Sequence, residues 1–415
     1  MRERWLSGLG ALVILGLAFA LCPRGRRAHL RPRSVLGGLG VLLLLALLLL
    51  ETPVVGSFSA ANAAVERLLG FTRSGASFVF GPLSEASGGL GYVFAFQVLP
   101  TILFFSALMS VAYHVGVLPW IIERGGRLLS KVLGVSGAEG FSTVADVFVG
   151  QTEAPLSIRP YLPRLTLSEL HACMVAGFAT TAGGVLAAYV AMLSSSVPGI
   201  AGHLLTSSVL CAPASLVISK LMFPESESPE TTGDTIAAHG PGAANVLEAL
   251  VRGTLDGLRL SVNVAALMIV FLAFTAMIDA LLAALGGAVG VELNLTLLLS
   301  WLFRPLAFLL GVPAADVAKL ATLLGQKTVF NEFVAYSYLS QQLAADPAWL
   351  SQRGRLIASY ALCGFANFGS IGIQIAGYSS LAPERLGDLS RLGLRAMIGG
   401  LLTTCLVACV AGVLL

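Results

Sequence analysis

Along the chain, apolar residues gather in long runs near 5–21, 35–50, 92–118, 170–193, 200–221, 258–284, 356–380 and 393–415. Each approaches the roughly 20 residues that cross a bilayer, so the pattern predicts eight spanning helices. Two stretches break the rhythm, 120–169 and 290–350. Each is too polar for one crossing and too apolar for a solvated loop. Such a segment enters the membrane and turns back, which is tolerated only where protein buries it or water reaches it. A third stretch, 53–85 with AANAAVERLLG, reads as an amphipathic helix lying at the membrane interface.

Composition agrees with this reading. The chain is 56% hydrophobic and 11% charged, against about 25% charged in a soluble domain. An all-α polytopic membrane protein is expected, with no room for a separate soluble domain. The first run could imitate a signal peptide ahead of Cys22. Leu21 is a poor residue before a lipoprotein cysteine, no A-x-A site is present and a second apolar run follows at once, so a retained span is expected. Cys22, Cys173, Cys211, Cys363, Cys405 and Cys409 show no metal spacing and read as small core residues.

The net charge of +3 matters less than its placement. PRGRRAHLRPR carries Arg24, Arg26, Arg27, Arg31 and Arg33, which makes that loop cytoplasmic and the N-terminus external. Arg124, Arg127, Lys131, Arg385, Arg391 and Arg395 then fall inside, while Arg353 and Arg355 fall outside against the rule. The predicted cytoplasmic loop 224–240 is acidic, and acidic residues weigh little in this rule.

The two irregular stretches carry similar chemistry. GQTEAP, with Glu153, is followed 24 residues on by GFATTAGG, and NEFVAY, with Glu332, is followed 32 residues on by GFANFGSIG. An acidic tip followed twice by a glycine-rich, hydroxyl-bearing segment suggests an internal repeat built of interrupted helices. Interrupted helices leave backbone N–H and C=O groups free for a polar ligand or a cation. Pro155 and Pro160 suit such breaks. An intramembrane carboxylate costs about 2.5–3.5 kcal/mol even on the lenient insertion scale. That cost favours a functional role for Glu153 and Glu332 over structural pairing with Arg159 or Lys327.

GQTEAPLSIRPYL, MVAGFATTAGGVLAAY, NEFVAY and CGFANFGSIGIQIAG closely resemble the signatures of the concentrative nucleoside transporters. FAFQVLPTILFF and FSALMSVAYHVGVLPW are similar to the same family, and the match runs from about residue 50 to the end. The resemblance implies eight spanning helices with two re-entrant hairpins in an inverted-repeat transport core, assembled as a homotrimer in the cytoplasmic (inner) membrane. It divides the chain into two N-terminal helices (1–50), an interfacial and a scaffold helix (51–118), the first hairpin with its following helices (119–221), a cytoplasmic loop and scaffold helix (222–289), and the second hairpin with its transport and C-terminal helices (290–415).

It also implies uptake of nucleosides such as uridine and adenosine by alternating access, coupled to Na+ or, in some bacterial members, to protons. Carried over by motif, Gln151, Thr152, Glu153 and Val185 face the nucleobase. Asn331, Glu332, Asn367 and Ser370 hold the ribose, and Phe365 walls the pocket. This suits the ligand: vicinal hydroxyls donate to a carboxylate and accept from an amide. The Gly150–Gln151 pair is similar to that of broadly selective members, so purine and pyrimidine nucleosides are both expected. The coupling-ion positions are Asp146, Val149, Thr180 and Thr181, with an Asp where the family's sodium-coupled members have Asn. A carboxylate there ligates Na+, takes up a proton, or points away and pairs with a nearby Arg, and the Thr180 hydroxyl fits the sodium pattern. No cofactor beyond that ion, no catalytic residue and no nucleic acid partner is expected.

An intramembrane enzyme and a channel are the rival classes. His29, His114, His171, His203 and His239 form no ligand-spaced pair and no HExxH occurs. A pore needs only a polar path, whereas two closed tips with convergent ligand groups suit alternating access.

Overall fold

The computed structural model describes residues 1–50, 55–84, 93–231, 243–289 and 292–415, and among them all regular structure is helical. The N-terminal part comprises α1 (Arg2–Ala20), α2 (Pro32–Leu50) and α3 (Val55–Phe80). A first unit follows: α4 (Phe94–Gln97) runs into α5 (Leu99–His114), then α6 (Val117–Leu133), α7 (Gly137–Phe148), α8 (Ala154–Ser157), α9 (Leu167–Ala179), α10 (Gly183–Leu193) and α11 (Ile200–Met222). A second unit comprises α12 (Val246–Val289), α13 (Leu295–Leu309), α14 (Ala314–Val329), α15 (Glu332–Ala345), α16 (Gln352–Leu362), α17 (Phe368–Leu381) and α18 (Leu386–Leu414).

The two units repeat one order: a long helix, a short helix, a hairpin, an interrupted helix and a second long helix. Three crossings, α4–α5, α9–α10 and α11, separate the start of the first unit from that of the second. An odd number of crossings makes the second unit enter from the opposite face, the arrangement of an inverted repeat.

Among the described residues seven segments are long and apolar enough to cross a membrane, Arg2–Ala20, Pro32–Leu50, Phe94–His114, Leu167–Leu193, Ile200–Met222, Val246–Gly287 and Pro383–Leu414, and the bent pair Leu295–Leu309 and Ala314–Val329 makes an eighth if it counts as one span. The run at 356–380 is instead two helices of 11 and 14 residues, α16 and α17, parted at Cys363–Asn367. Neither irregular stretch is a hairpin throughout. In 120–169 the hairpin is confined to α7 and α8 with the short turns after them, because the charged residues of α6 keep it amphipathic: Leu118, Ile122, Leu129 and Leu133 are buried while Arg127 and Lys131 are exposed. In 290–350 the hairpin is α14 and α15, and α13 meets α14 at 119°. Gly311 makes that corner with φ +74°, and a Cβ there would collide with the Glu3 carbonyl and the Ser7 hydroxyl of α1. The predicted interfacial helix is α3. Residues 53–54 and 85, residues 232–240 of the predicted cytoplasmic loop and residues 290–291 of the second stretch lie outside the described residues, as does residue 92 of the third span.

Helices α9, α10, α11 and α18 are almost wholly buried and form the core, with α1, α2 and α12 around it presenting apolar faces outward and α5 half-buried between. Glycines bring backbones close where side chains would hold them apart. A Cβ at Gly257 of α12 would lie 2.9 Å from Leu103 Cα of α5, and one at Gly399 of α18 would lie 2.8 Å from Val175 of α9. All six cysteines are buried and free.

Candidate functional site

The hairpins and breaks are encoded locally. Ser136 and Glu139 form a capping box that starts α7, and Thr166 and Glu169 form another that starts α9. Asn331 caps α15 by accepting 2.9 Å from the Val334 N–H, and Asn367 caps α17 by accepting 2.8 Å from the Ser370 N–H. The two asparagines of the predicted ribose set therefore also start the helices on which the set stands. Capping occupies the Asn367 carbonyl oxygen and leaves its amide nitrogen, which donates 3.1 Å to Glu332 Oε2.

The other oxygen of Glu332 accepts a 3.0 Å bond from the Tyr189 hydroxyl of α10. Tyr189 in turn packs on Tyr336 at 4.4 Å between ring centroids and on Phe333 at 4.9 Å. Glu332 is buried and stands at the N-terminus of α15, where the helix dipole favours negative charge. It is not paired with Lys327. That ammonium donates to the Ala361 and Cys363 carbonyls, both at 2.8 Å, and to Thr404 Oγ1 at 3.0 Å. Arg159 is exposed at the surface.

The two interrupted helices touch at their breaks. The Gly364 N–H donates 2.8 Å to Thr181 Oγ1. Gly364 has φ +92°, and a Cβ there would strike the Ala179 carbonyl and lie 2.9 Å from that of Phe178. Only glycine serves, both for its left-handed backbone and for that approach. The GFA triplets shared by the two units are not in structural register: Gly177–Ala179 is the last turn of α9, whereas Gly364–Ala366 is itself the break.

At the first hairpin tip Gly150 has φ +93°, and a Cβ on it would lie 2.7 Å from that of Ala182, so the tip rests on the break of α9–α10. Asp146, Gln151 and Gln374 converge on Gly177. A Cβ there would lie 3.4 Å from Asp146 Oδ1, 3.0 Å from Gln151 Cβ and 2.6 Å from Gln374 Nε2. Asp146 is 1% exposed, and neither of its oxygens has a hydrogen-bond partner, nor do Gln151 Oε1 and Gln374 Oε1. Thr180 donates its hydroxyl proton 2.9 Å to the Ala176 carbonyl, which leaves the oxygen's lone pairs free. The Thr181 hydroxyl oxygen accepts from the Gly364 N–H and lies 3.3 Å from Cys363 Sγ. Buried acid oxygens without partners beside helix-end carbonyls are the donor set of a hard cation.

Thr152 and Glu153 are exposed at the tip, and Thr152 Cα would lie 3.8 Å from a Cβ on Gly377, so this tip also faces α17. Val185 and Ser370 are buried, while Phe365 is half-buried. Of the predicted base set, Gln151, Thr152 and Glu153 thus stand on the first tip and Val185 on α10; of the predicted ribose set, Asn331 and Glu332 stand on the second tip, Asn367 at the break and Ser370 in the first turn of α17. Tyr189, Gln374 and Lys327's carbonyl partners were not legible from the motifs. A tyrosine in an apolar helix carries no signal until its partner, more than a hundred residues away, is known.

Three family models match the chain: "Na+ dependent nucleoside transporter N-terminus" over residues 9–83, "Nucleoside recognition" over 95–196 and "Na+ dependent nucleoside transporter C-terminus" over 203–412. Mouse solute carrier family 28 member 3 is 41% identical over 100% of this chain, which spans 59% of that relative's length. An uncharacterized transporter of Haemophilus influenzae is 39% identical over 98% of this chain and 97% of its own. The structure of CNTnw in an inward-facing substrate-bound state superposes with a TM-score of 0.92 at 38% identity, covering 99% of this chain and 98% of that one.

Proposed function

The chain belongs to the concentrative, Na+-dependent nucleoside transporter family, and from that premise we propose that it drives nucleosides into the cell against their gradient, coupled to Na+ by alternating access. The family is one of transporters, not of enzymes. The observation that carries the reading is Glu332. Its buried carboxylate is oriented by Tyr189 and Asn367 at a hairpin tip that borders a helix break. A fixed acceptor beside an amide donor suits the vicinal hydroxyls of ribose, with Asn331 and Ser370 completing the set and Phe365 as a wall. A nucleoside lacking a hydroxyl leaves these groups unpaired, a loss of about 1–3 kcal/mol for each.

Gln151, Thr152 and Glu153, with Val185 behind them, contact the base edge. Amide, hydroxyl and carboxylate together offer donors and acceptors to purines and pyrimidines alike, so uridine and adenosine are both substrates. The coupling ion binds at Asp146 with the Val149 and Thr181 carbonyls and Thr180. The unpartnered oxygens of Asp146 support an ion here. They also support a second reading, in which the carboxyl takes a proton and uptake is proton-coupled.

In this reading α9–α10, α16–α17 and the hairpins form the moving transport part. Helices such as α12, with its exposed apolar face, form the scaffold of a homotrimer in the inner membrane. Purified protein in liposomes, given labelled uridine with sodium and pH gradients imposed separately, tests the proposal. Accumulation above the external concentration supports it, and equilibration without accumulation under either gradient indicates a channel instead.

A further inference from the structure

The first arms of the two hairpins end alike. Helix α7 ends at Phe148 with Val149 as its C-cap, and α14 ends at Val329 with Phe330 as its C-cap. Three residues before the cap, the first arm carries Asp146 and the second carries Lys327. Both side chains are buried, at 1% and 0% exposure. Their surroundings are opposite in kind: both Asp146 oxygens lack partners, while the three N–H groups of the Lys327 ammonium meet three acceptors.

Two of those acceptors lie at the end of α16, where the break begins. Cys363 is the C-cap of α16, as Thr180 is the C-cap of α9, and Ala361 lies in α16's last turn. Carbonyls at an interrupted helix end have lost their intrahelical donors and carry the negative pole of the helix dipole. Deep in a membrane protein they need a cation or a donor. The first unit presents such an end together with a bare carboxylate. The second presents one already occupied by an ammonium tethered to the opposite hairpin arm.

We infer that Lys327 is the resident cation of the second unit, its ammonium standing where the first unit takes a free ion. The inference rests on the proposed nucleoside–cation reading of the first unit. By holding the end of α16 against α14 and α18, Lys327 fixes the break from which Gly364 reaches Thr181 and Asn367 reaches Glu332. Lys327 is thus a positioning residue: its donors are taken up by protein acceptors, and it acts on the nucleoside through Asn367 and Glu332.

The test separates charge from volume. Lys327→Met keeps the length of the side chain and removes the cation, and Lys327→Ala leaves a space that fits n-propylammonium. In detergent-solubilised protein, uridine affinity is expected to fall at least about 100-fold in Lys327→Met, since three buried acceptors lose a charged donor. Lys327→Ala should lose binding similarly and recover it with n-propylammonium chloride, but not with n-propanol. Unchanged uridine affinity in Lys327→Met, or equal rescue by the alcohol, overturns the inference.

If Lys327→Ala is monodisperse only when an additive is present, purification in the amine against the alcohol makes the same comparison, with thermal stability as the readout. Wild-type protein that binds no nucleoside would overturn the functional reading alone. Stabilisation of Lys327→Ala by the amine and not by the alcohol would then still establish the tethered cation.

Discussion

The Tyr189 hydroxyl donates a 3.0 Å hydrogen bond to the Glu332 carboxylate. The bond crosses from the interrupted helix of the first unit to the hairpin tip of the second. A hydrogen bond to a charged group contributes about 1.5–3 kcal/mol, and Asn367 still holds the other oxygen after its loss. Tyr189→Phe is therefore expected to raise the uridine KM about tenfold, the equivalent of about 1.4 kcal/mol. Uptake kinetics in liposomes check this, and an unchanged KM removes Tyr189 from the site.

Glu332→Gln has a larger expected effect. It keeps the shape and replaces a charged acceptor with a neutral one, and charge-assisted bonds are roughly twice as strong as neutral ones. Uridine transport should fall sharply in protein that remains folded. In the wild type, free uracil should compete poorly with uridine, because it lacks the hydroxyls that Glu332 and Asn367 are proposed to hold. Competition by uracil at uridine's own concentration range would show that the ribose contacts are misassigned.

Asp146 decides the coupling ion. With Na+ as the ion, wild-type uptake stops without sodium at every pH, and Asp146→Asn raises the sodium concentration for half-maximal uptake by about tenfold as a charged ligand becomes neutral. The proton alternative has a different signature: uptake at zero sodium rises as external pH falls, and Asp146→Asn abolishes that rise. The sodium outcome is expected. Indifference of Asp146→Asn to both ions would place the coupling site elsewhere.

Gly364 and Gly372 make a matched pair of substitutions. At Gly364 a Cβ meets the Ala179 carbonyl and the backbone is left-handed, whereas at Gly372 nothing lies within 4 Å. Left-handed backbone and overpacking together cost about 2–5 kcal/mol. Gly364→Ala should lower the thermal unfolding midpoint markedly, while Gly372→Ala, inside α17, should hold or raise it. Equal midpoints would mean that the breaks do not touch as described.

The long crossings were legible because about twenty apolar residues leave few other readings, and the two tips because Glu153 and Glu332 stand out in apolar surroundings. The break at Cys363–Asn367 was hidden inside the run 356–380, since hydropathy does not register where a helix stops. Asn331 and Asn367 were legible as polar residues in the right motifs. Their capping role required knowing where α15 and α17 begin. Lys327 was legible as a charge and misleading as a partner: sequence offers carboxylates as counter-ions and conceals the carbonyls that a helix break sets free.

The bond from Gly364 N–H to Thr181 Oγ1 leaves the two breaks without mechanical independence. Thr181 stands in the proposed ion set, and Gly364 begins the segment that carries Asn367. Whatever free energy the ion contributes to ordering one break is felt at the other, and linkage makes the effect mutual. If sodium tightens uridine binding by some factor, uridine tightens sodium binding by that same factor. Isothermal titration of each ligand in the presence and absence of the other should return a single coupling free energy from both directions.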